Sequence, residues 1–426
     1  MRRIRRGLVG IAGAAILAPL ACGPPSTAPT ATVVDSAGVR IVTYALDRNE
    51  LPVWRTLVDA DLEIGVPDGD PAYTLSRIVD LAVTADGRVL VSDGATPGVR
   101  VYDASGTWER TLGQRGDGPG EFSSPPTFAG TRGDTVFVYD GGSARVTTFL
   151  LDGTRVRELT VQDDAVGRPL TLLRYPDGSW LARSRWTRPA AAVEFHDFRL
   201  ELDSVVALRV GANGTLLDTI RVMPDRTWAR TIADRGGGTL RLLQAPQPNS
   251  PGAVLAASDR GAIVGHSSRF GLDLPPGADG VPLRLRVHGV EAGVSADEIR
   301  AWHAAVLSAD FGDAEPDPTA RMLYQDFLPE RLPAFDRLMV AEDGALWIAL
   351  AALDDSAGTD WLVFEPDASL RGSVHTPPGF RLLRVAGAAA YGVVLDDFDV
   401  PYVRRHRLAT PGDPVTSNGP ADGAGA

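Results

Sequence analysis

The stretch from Leu112 to Pro126, LGQRGDGPGEFSSPP, contains residue types that could bind a phosphate, a cation or a protein. Its alternating glycines are Gly116, Gly118 and Gly120. A phosphate-binding glycine run must open a helix whose N-terminus holds the phosphate, but Pro125 and Pro126 follow here and interrupt any helix. The Arg-Gly-Asp triplet is expected by chance in a chain with 46 glycines. We therefore predict a structural connector, in which the glycines permit a tight crossing and Phe122 is buried.

A second candidate is the stretch SWLARSRWTRP, the densest group of arginine and tryptophan in the chain. Arginine and tryptophan anchor many interfaces and bind anionic or sugar ligands. Arg183, Arg185 and Trp186 are accordingly the candidate ligand-binding residues. In the alternative interpretation Trp180 packs between sheets and the arginines balance nearby carboxylates.

Catalytic and metal-binding motifs are incomplete. The stretch VGHSSRFG has Arg269 where a G-x-S-x-G nucleophile motif around Ser267 needs its second glycine. The six histidines show no short metal spacing, and the acidic run LDDFDVP lacks the distal glutamate of a calcium loop. We assign no catalytic residue, no metal ligand and no cofactor, with calcium as the alternative.

The charge of the chain restricts its partners. The 426 residues carry a net charge of −12, although the first 21 residues contain four arginines and no acid. An acidic body does not attract nucleic acid or an anionic membrane surface. We therefore expect no nucleic-acid partner and contact with a membrane only through an anchor.

The N-terminus has the layout of an export signal. Residues 1–21 begin with four arginines and continue with an apolar run that is short for a membrane span. Cys22, the only cysteine, follows Ala21 at the cleavage position and resembles the lipid-modified cysteine of bacterial lipoproteins. Residues 22–34 would then be a flexible tether. The prediction is an exported lipoprotein facing the outer membrane or the periplasm, and the alternative is a plain secretory signal.

Between the ends, short strands alternate with Asp-Gly and Gly-Asp turns, which favour hairpins. Residues 78–112 form four such strands, and the next unit repeats them: Asp93 corresponds to Asp140, Tyr102 to Phe149 and Gly106 to Gly153, each 47 residues apart. A period of this length with four strands in each copy is typical of a propeller blade.

Continuing the pattern predicts an all-β, six-bladed β-propeller over residues 35–409. The last unit contains only three strands, and residues 55–73 resemble the last strand of a blade together with the loop that follows it, so we expect the N-terminal strand to close the last blade. One helical insertion is predicted near residues 294–308, where Ser295 and Glu298 are spaced as a capping box. Residues 410–426 are predicted to be a disordered tail.

The motifs LGQRGDGPGEF, LPERLPAFDRLMVAEDGALWIA and YGVVLDDFDVPYVRRHRL resemble those of NHL-repeat-like, six-bladed propeller lipoproteins of bacteria. The resemblance covers residues 35–408 and implies the fold, and propellers of the NHL type mostly bind partners. We expect a non-catalytic binding or scaffold module for an envelope protein, a peptide or a glycan. The alternative is a metal-dependent lactonase or lyase with ligands from separate blades in the central channel, and a third hypothesis is a purely structural element of an envelope complex.

Overall fold

The computed structural model describes residues 29–162, 164–185, 198–234, 240–312, 314, 316, 318–326 and 328–411. Its strands up to the middle of the chain are β1 (Thr32–Ser36), β2 (Val39–Ala45), β3 (Thr56–Ile64), β4 (Ile78–Val83), β5 (Val89–Asp93), β6 (Val99–Tyr102), β7 (Trp108–Leu112), β8 (Gln114–Arg115), β9 (Glu121–Phe122), β10 (Thr127–Arg132), β11 (Thr135–Asp140), β12 (Arg145–Leu150), β13 (Arg155–Thr160), β14 (Pro169–Arg174), β15 (Trp180–Arg185), β16 (Phe198–Val210), β17 (Leu216–Asp234) and β18 (Leu240–Pro246).

The remaining strands are β19 (Ala253–Ser258), β20 (Gly261–His266), β21 (Gly271–Leu274), β22 (Leu283–His288), β23 (Phe335–Val340), β24 (Leu346–Leu350), β25 (Thr359–Phe364), β26 (Leu370–Thr376), β27 (Arg381–Ala386), β28 (Ala389–Leu395) and β29 (Pro401–Ala409). The helices are a 3₁₀ turn at Arg48–Glu50, α1 (Ala296–Phe311), α2 (Pro318–Arg321) and a π turn at Met322–Asp326.

These strands form six blades around a ring, which confirms the predicted propeller. Blades I, II and V are the four-stranded meanders β4–β7, β10–β13 and β23–β26. Blade VI has the order β27-β28-β29-β3, so the N-terminal strand β3 closes the ring as predicted. This pairing joins residues more than 300 positions apart and fixes the two ends of the ring to each other.

Blades III and IV are larger than the sequence pattern predicts. In blade III, β16 and β17 form a long ribbon whose far end pairs with β18. In blade IV, β2 adds in parallel to β22 and β1 pairs with β2, giving six strands. β1 begins at Thr32, inside the range predicted as a tether, because Thr32, Val33 and Val34 favour an extended chain and Ala37-Gly38 supplies the positive φ angles of a hairpin turn.

The apolar core is divided among the blade interfaces. The described residues form six buried clusters, and each lies between two neighbouring blades. The cluster between blades I and II includes Leu90, Phe122 and Val136, all fully buried. Burying a leucine or phenylalanine side chain contributes about 1.5–3 kcal/mol. The ring is therefore held by contacts that no single blade could make alone.

In blades I and II, a buried aspartate binds the loop that enters the blade. Asp140, at the end of β11, accepts hydrogen bonds from the backbone N–H groups of Ser123 (2.8 Å) and Ser124 (3.2 Å), which precede β10. Asp93, at the end of β5, accepts the equivalent bonds from Ser76 and Arg77, at 3.1 Å each. The 47-residue repeat seen in the sequence thus places the same carboxylate at the same point of blades I and II.

The glycine-rich loop lies between blades I and II. Gly116 and Gly120 have φ angles of +155° and +80°, and β8 pairs with β9 across the loop. The carboxylate of Glu121 accepts the Gly118 N–H at 2.9 Å. Phe122 is fully buried, with its ring centroid 6.2 Å from that of Phe149. The Gly118 N–H and the Glu121 carboxylate thus pair within the loop, whereas the Gly120 N–H donates to Glu158 of β13.

The predicted insertion is α1. The Ser295 hydroxyl accepts the Glu298 N–H at 3.3 Å, and the Glu298 carboxylate accepts the Ser295 N–H at 2.8 Å, so the capping box is formed. Trp302 donates its indole N–H to Asp354, in the loop after β24, at 2.9 Å. The helix is thereby fixed to blade V. Within the described part of the chain, no helix has the length and apolar character needed to cross a bilayer.

Candidate ligand-binding site in the central channel

The innermost strand of every blade has an unpaired edge. β4, β10, β14, β19, β23 and β27 each stand at the end of their sheet and pair on one side only. Their free backbone N–H and C=O groups therefore face the central channel. Five of the six carry a register shift near their beginning, at Ile78/Asp80, Phe128/Gly130, Pro169/Thr171, Phe335/Arg337 and Leu382/Arg384. A bulge of this kind bends a strand and redirects its side chains.

The last residues of these strands and the turns that follow them surround a cavity of about 880 Å³. It opens on the face of the ring where the first and second strands of each blade are joined. Half-buried apolar side chains line its wall: Val83, Leu173, Leu255, Leu338 and Val340. A volume of this size lies within the usual range of ligand pockets, about 300–1,000 Å³.

Charged side chains line the mouth of the cavity. Arginines contribute from four blades (Arg132, Arg174, Arg260 and Arg384), and acids contribute from blades IV and V (Asp259, Glu342 and Asp343). Two of these side chains are in ion pairs: Arg384 with Asp80 at 2.8 Å and Asp343 with Arg371 at 2.5 Å.

Asp80 connects three blades beneath the cavity. Its carboxylate pairs with Arg384 of blade VI and accepts the Phe128 N–H of blade II at 2.9 Å. It belongs to β4 of blade I and follows the register shift of that strand. Its contacts join the inner strands of blades I, II and VI.

Arg174 is held in place by aromatic rings. Its guanidinium carbon lies 4.2 Å from the ring centroid of Phe137 and 5.4 Å from that of Trp180. Its Nη1 donates to the Tyr175 carbonyl at 3.2 Å, and its Nε is buried without a hydrogen-bond partner among the described residues. Burial and the neighbouring Arg132 lower the pKa of Arg174. The side chain is rigid, and its charge is incompletely compensated.

The structure places Arg183 and Arg185 away from this cavity. Strand β15 runs antiparallel to β14, so both residues lie toward the opposite face of the ring. Arg183 donates to both carboxylate oxygens of Asp225 at 2.7 Å, and Arg185 lies 5.0 Å from the ring centroid of Trp228. Trp186 and Cys22 lie outside the described residues. The arginine cluster thus remains a prediction, with Arg183 engaged by a carboxylate.

Ser267 and two of the six histidines, His266 and His375, have structural partners. The Ser267 hydroxyl accepts the Gly252 N–H at 2.9 Å in the interior of blade IV. His266 contacts the Ser268 hydroxyl at 2.9 Å, and His375 contacts Asp360 at 2.8 Å. Among the residues that the structure describes, no three His, Cys, Asp or Glu side chains are grouped as metal ligands.

Sequence reasoning did not identify the channel arginines. Arg132 and Arg174 are the last residues of β10 and β14, so each precedes the turn that joins the first and second strands of its blade. The position just before the first turn of each repeat was therefore a usable signal. This position can be recognised only when all six units are aligned, and the spacing of the later units is too irregular for such an alignment.

The chain is a six-bladed β-propeller. Residues 73–184 match a family model described as a 6-bladed beta-propeller. No curated protein matches the sequence.

Several solved structures are similar in fold. A protein from Bacteroides fragilis described as exported is 11% identical, with a TM-score of 0.48, 87% of this chain covered and 100% of that one. A protein described as a gluconolactonase is 14% identical, with a TM-score of 0.40, 85% of this chain covered and 99% of that one. Virginiamycin B lyase from Staphylococcus aureus is 10% identical, with a TM-score of 0.34, 80% of this chain covered and 86% of that one. Similarity at this level does not extend to function.

Proposed function

We propose that this protein is a lipid-anchored propeller of the cell envelope that acts as a non-catalytic binding module for a protein, a peptide or a glycan. The observation that carries the proposal is the cavity of about 880 Å³ at the end of the channel. It combines apolar walls, six unpaired strand edges and a charged mouth. These are the features of a binding pocket, which needs apolar area and a few well-placed polar groups.

The rigidity of the surroundings supports binding. The wall of the cavity is made of strands whose outer faces pack in the inter-blade clusters, and Asp80 ties three of those strands together. A preformed site spends little binding free energy on ordering itself. Arg384 and Asp343 at the mouth are also fixed by ion pairs, so their positions are set before a ligand arrives.

The test is to probe arrays of glycans and peptides with the purified chain and with a blocked variant. Thr131 is exposed and lines the cavity, so Thr131→Trp adds bulk at the mouth without entering the core. Val156→Trp is the matched control, because Val156 is 57% exposed on the outer strand β13 of the same blade. We expect a class of probe that binds the wild type and the control and loses binding in Thr131→Trp.

Two results would contradict the proposal. One is that no probe loses binding in the Thr131→Trp variant. The other is calcium or zinc retained through purification together with a raised melting temperature, which would favour the lactonase or lyase alternative.

The anchor is tested separately. Replacing Cys22 with serine removes the thiol that would receive lipid, and the protein should then leave the membrane fraction. Fractionation of cells that produce the two forms measures this directly. Unchanged membrane retention of Cys22→Ser would show that another element holds the protein there.

A further inference from the structure

Two neighbouring blades present an arginine at the same structural position. The last residues of the six inner strands are Val83, Arg132, Arg174, Ser258, Val340 and Ala386. The two arginines stand on adjacent blades, II and III, and line the same cavity. A Cβ built on Gly130, two residues before Arg132, would lie 3.4 Å from the Cβ of Arg174, so the two strands approach closely just below the pair.

Neither arginine of this pair forms an ion pair with a described residue, in contrast to Arg384 at the same mouth. Asp177 is the carboxylate whose charge raises the pKa of Arg174. It is already bound to Arg209 at 2.5 Å and to the Ser179 hydroxyl at 2.6 Å. Two like charges in proximity repel each other, and an anion between them would relieve the repulsion. Among the described residues, neither guanidinium group therefore has a carboxylate that balances its charge.

We propose that Arg132 and Arg174 bind a single oxyanion group, a carboxylate or a phosphate, carried by the ligand of the channel. This inference rests on the proposed binding function and names the chemical class of its ligand. The planar guanidinium matches both groups through paired N–H donors. The aromatic rings of Phe137 and Trp180 hold Arg174 in place, so little side-chain entropy is lost when the anion binds.

The acidic side chains at the mouth restrict the chemical class of the ligand further. Asp259 and Glu342, on blades IV and V, line the cavity and repel a second negative charge. A ligand with anionic groups along its whole length, such as a nucleic acid, is therefore disfavoured. The ligand that fits has one localised oxyanion on a neutral or polar body.

The experiment is isothermal titration calorimetry at low ionic strength with glucuronate and glucose 6-phosphate, and with glucose as the neutral analogue. We expect at least one acid to bind at least about tenfold more tightly than glucose, since a charge-assisted pair is the difference between them. The comparison of the two acids distinguishes a carboxylate from a phosphate. Arg132→Gln, at an exposed side chain, should reduce the preference for the acid about tenfold.

Arg174→Gln should have the same effect, and Arg174→Lys, which keeps the charge without the planar fork, should be intermediate. Arg55→Gln is the matched control, because Arg55 also lies over a tryptophan ring, at 5.4 Å from the centroid of Trp54, and is outside the cavity. It should bind like the wild type. Equal binding of glucose and both acids, or no binding of either acid, would overturn the inference.

The same measurements separate this inference from the binding function itself. A probe from the arrays whose binding is lost in Thr131→Trp but is unchanged in Arg132→Gln and Arg174→Lys would refute the oxyanion site and leave the binding module intact. If no probe loses binding in Thr131→Trp, the proposed binding function itself is refuted.

Discussion

Asp140 offers a quantitative test of how the blades are joined. Its side chain is 1% exposed and accepts hydrogen bonds from the hydroxyl groups of Ser123, Ser124 and Ser143 as well as from backbone N–H groups. Burial raises the pKa of this carboxyl, but the hydrogen bonds from Ser124, Ser143 and Ser123 outweigh it and lower the pKa from 3.8 to about 2. A shift of this size corresponds to about 2 kcal/mol of folding free energy.

The sign of the pH dependence follows from the depressed pKa. The contribution of Asp140 is complete above about pH 5, where the unfolded carboxyl is almost fully ionised, and is lost progressively as the pH falls from about 5 to about 1. Asp140→Asn removes the charge and turns one acceptor into a donor that faces other donors. We expect it to lower the free energy of unfolding by about 2–4 kcal/mol at pH 7.

The assay is urea denaturation of the wild type and of Asp140→Asn at pH 7 and pH 3. The difference between them should shrink by about 1 kcal/mol at pH 3, because half of the charge contribution has then been lost. Asp117→Asn in the same loop is the matched control, since Asp117 is exposed, and it should change stability by less than about 0.5 kcal/mol. Equal free energies of unfolding for the wild type and Asp140→Asn at pH 7, or a difference between them that does not change with pH, would refute the reasoning.

Two further predictions concern the glycine-rich loop and the insertion. Gly113→Ala should lower the free energy of unfolding, measured by urea denaturation, by about 1–3 kcal/mol more than Gly133→Ala. Both glycines have positive φ, but a Cβ on Gly113 would clash with the Phe122 ring, whereas a Cβ on Gly133 would have no atom within 4 Å. Similar losses for both would show that Phe122 does not fill the loop. The ring of His303 lies against Trp302 and Tyr324, and neither ring nitrogen has a hydrogen-bond partner among the described residues. Burial lowers the pKa of His303, so protonation opposes folding. The wild type should therefore lose thermal stability relative to His303→Leu as the pH falls from 7 to 5. Parallel pH profiles of the two melting temperatures would contradict this.

The fold was predictable where the signal is local or repeated. Asp93 and Asp140 correspond because each accepts hydrogen bonds from two backbone N–H groups that precede the inner strand of its own blade. The capping box of α1 depends on two residues three positions apart. Closure by β3 was predictable because the last unit lacked one strand. In each case, the residues that define the feature can be compared directly in the sequence.

The features that escaped prediction depend on contacts between distant segments. The hairpin β1–β2 has a local signal, but its docking site is the free edge of β22, about 240 residues later, and an edge becomes available only once blade IV exists. The channel also depends on distant segments, since each of the six inner strands that line it belongs to a different blade. Sequence spacing along one strand favoured Arg183 and Arg185, whereas the arginines that share a cavity, Arg132 and Arg174, belong to separate repeats.

The charges on the inner strands also bear on which ligand the channel can accept. An unpaired strand edge invites another strand to add to it, and proteins commonly prevent this with bulges and charged side chains. Five of the six inner strands are bulged, and Asp80, Arg337 and Arg384 each follow directly on a register shift. An extended peptide could not pair along such an edge for more than a few residues. Under the proposed function, we therefore expect a ligand recognised through its end groups, such as a glycan with a terminal acid, rather than a peptide that would have to bind as a strand.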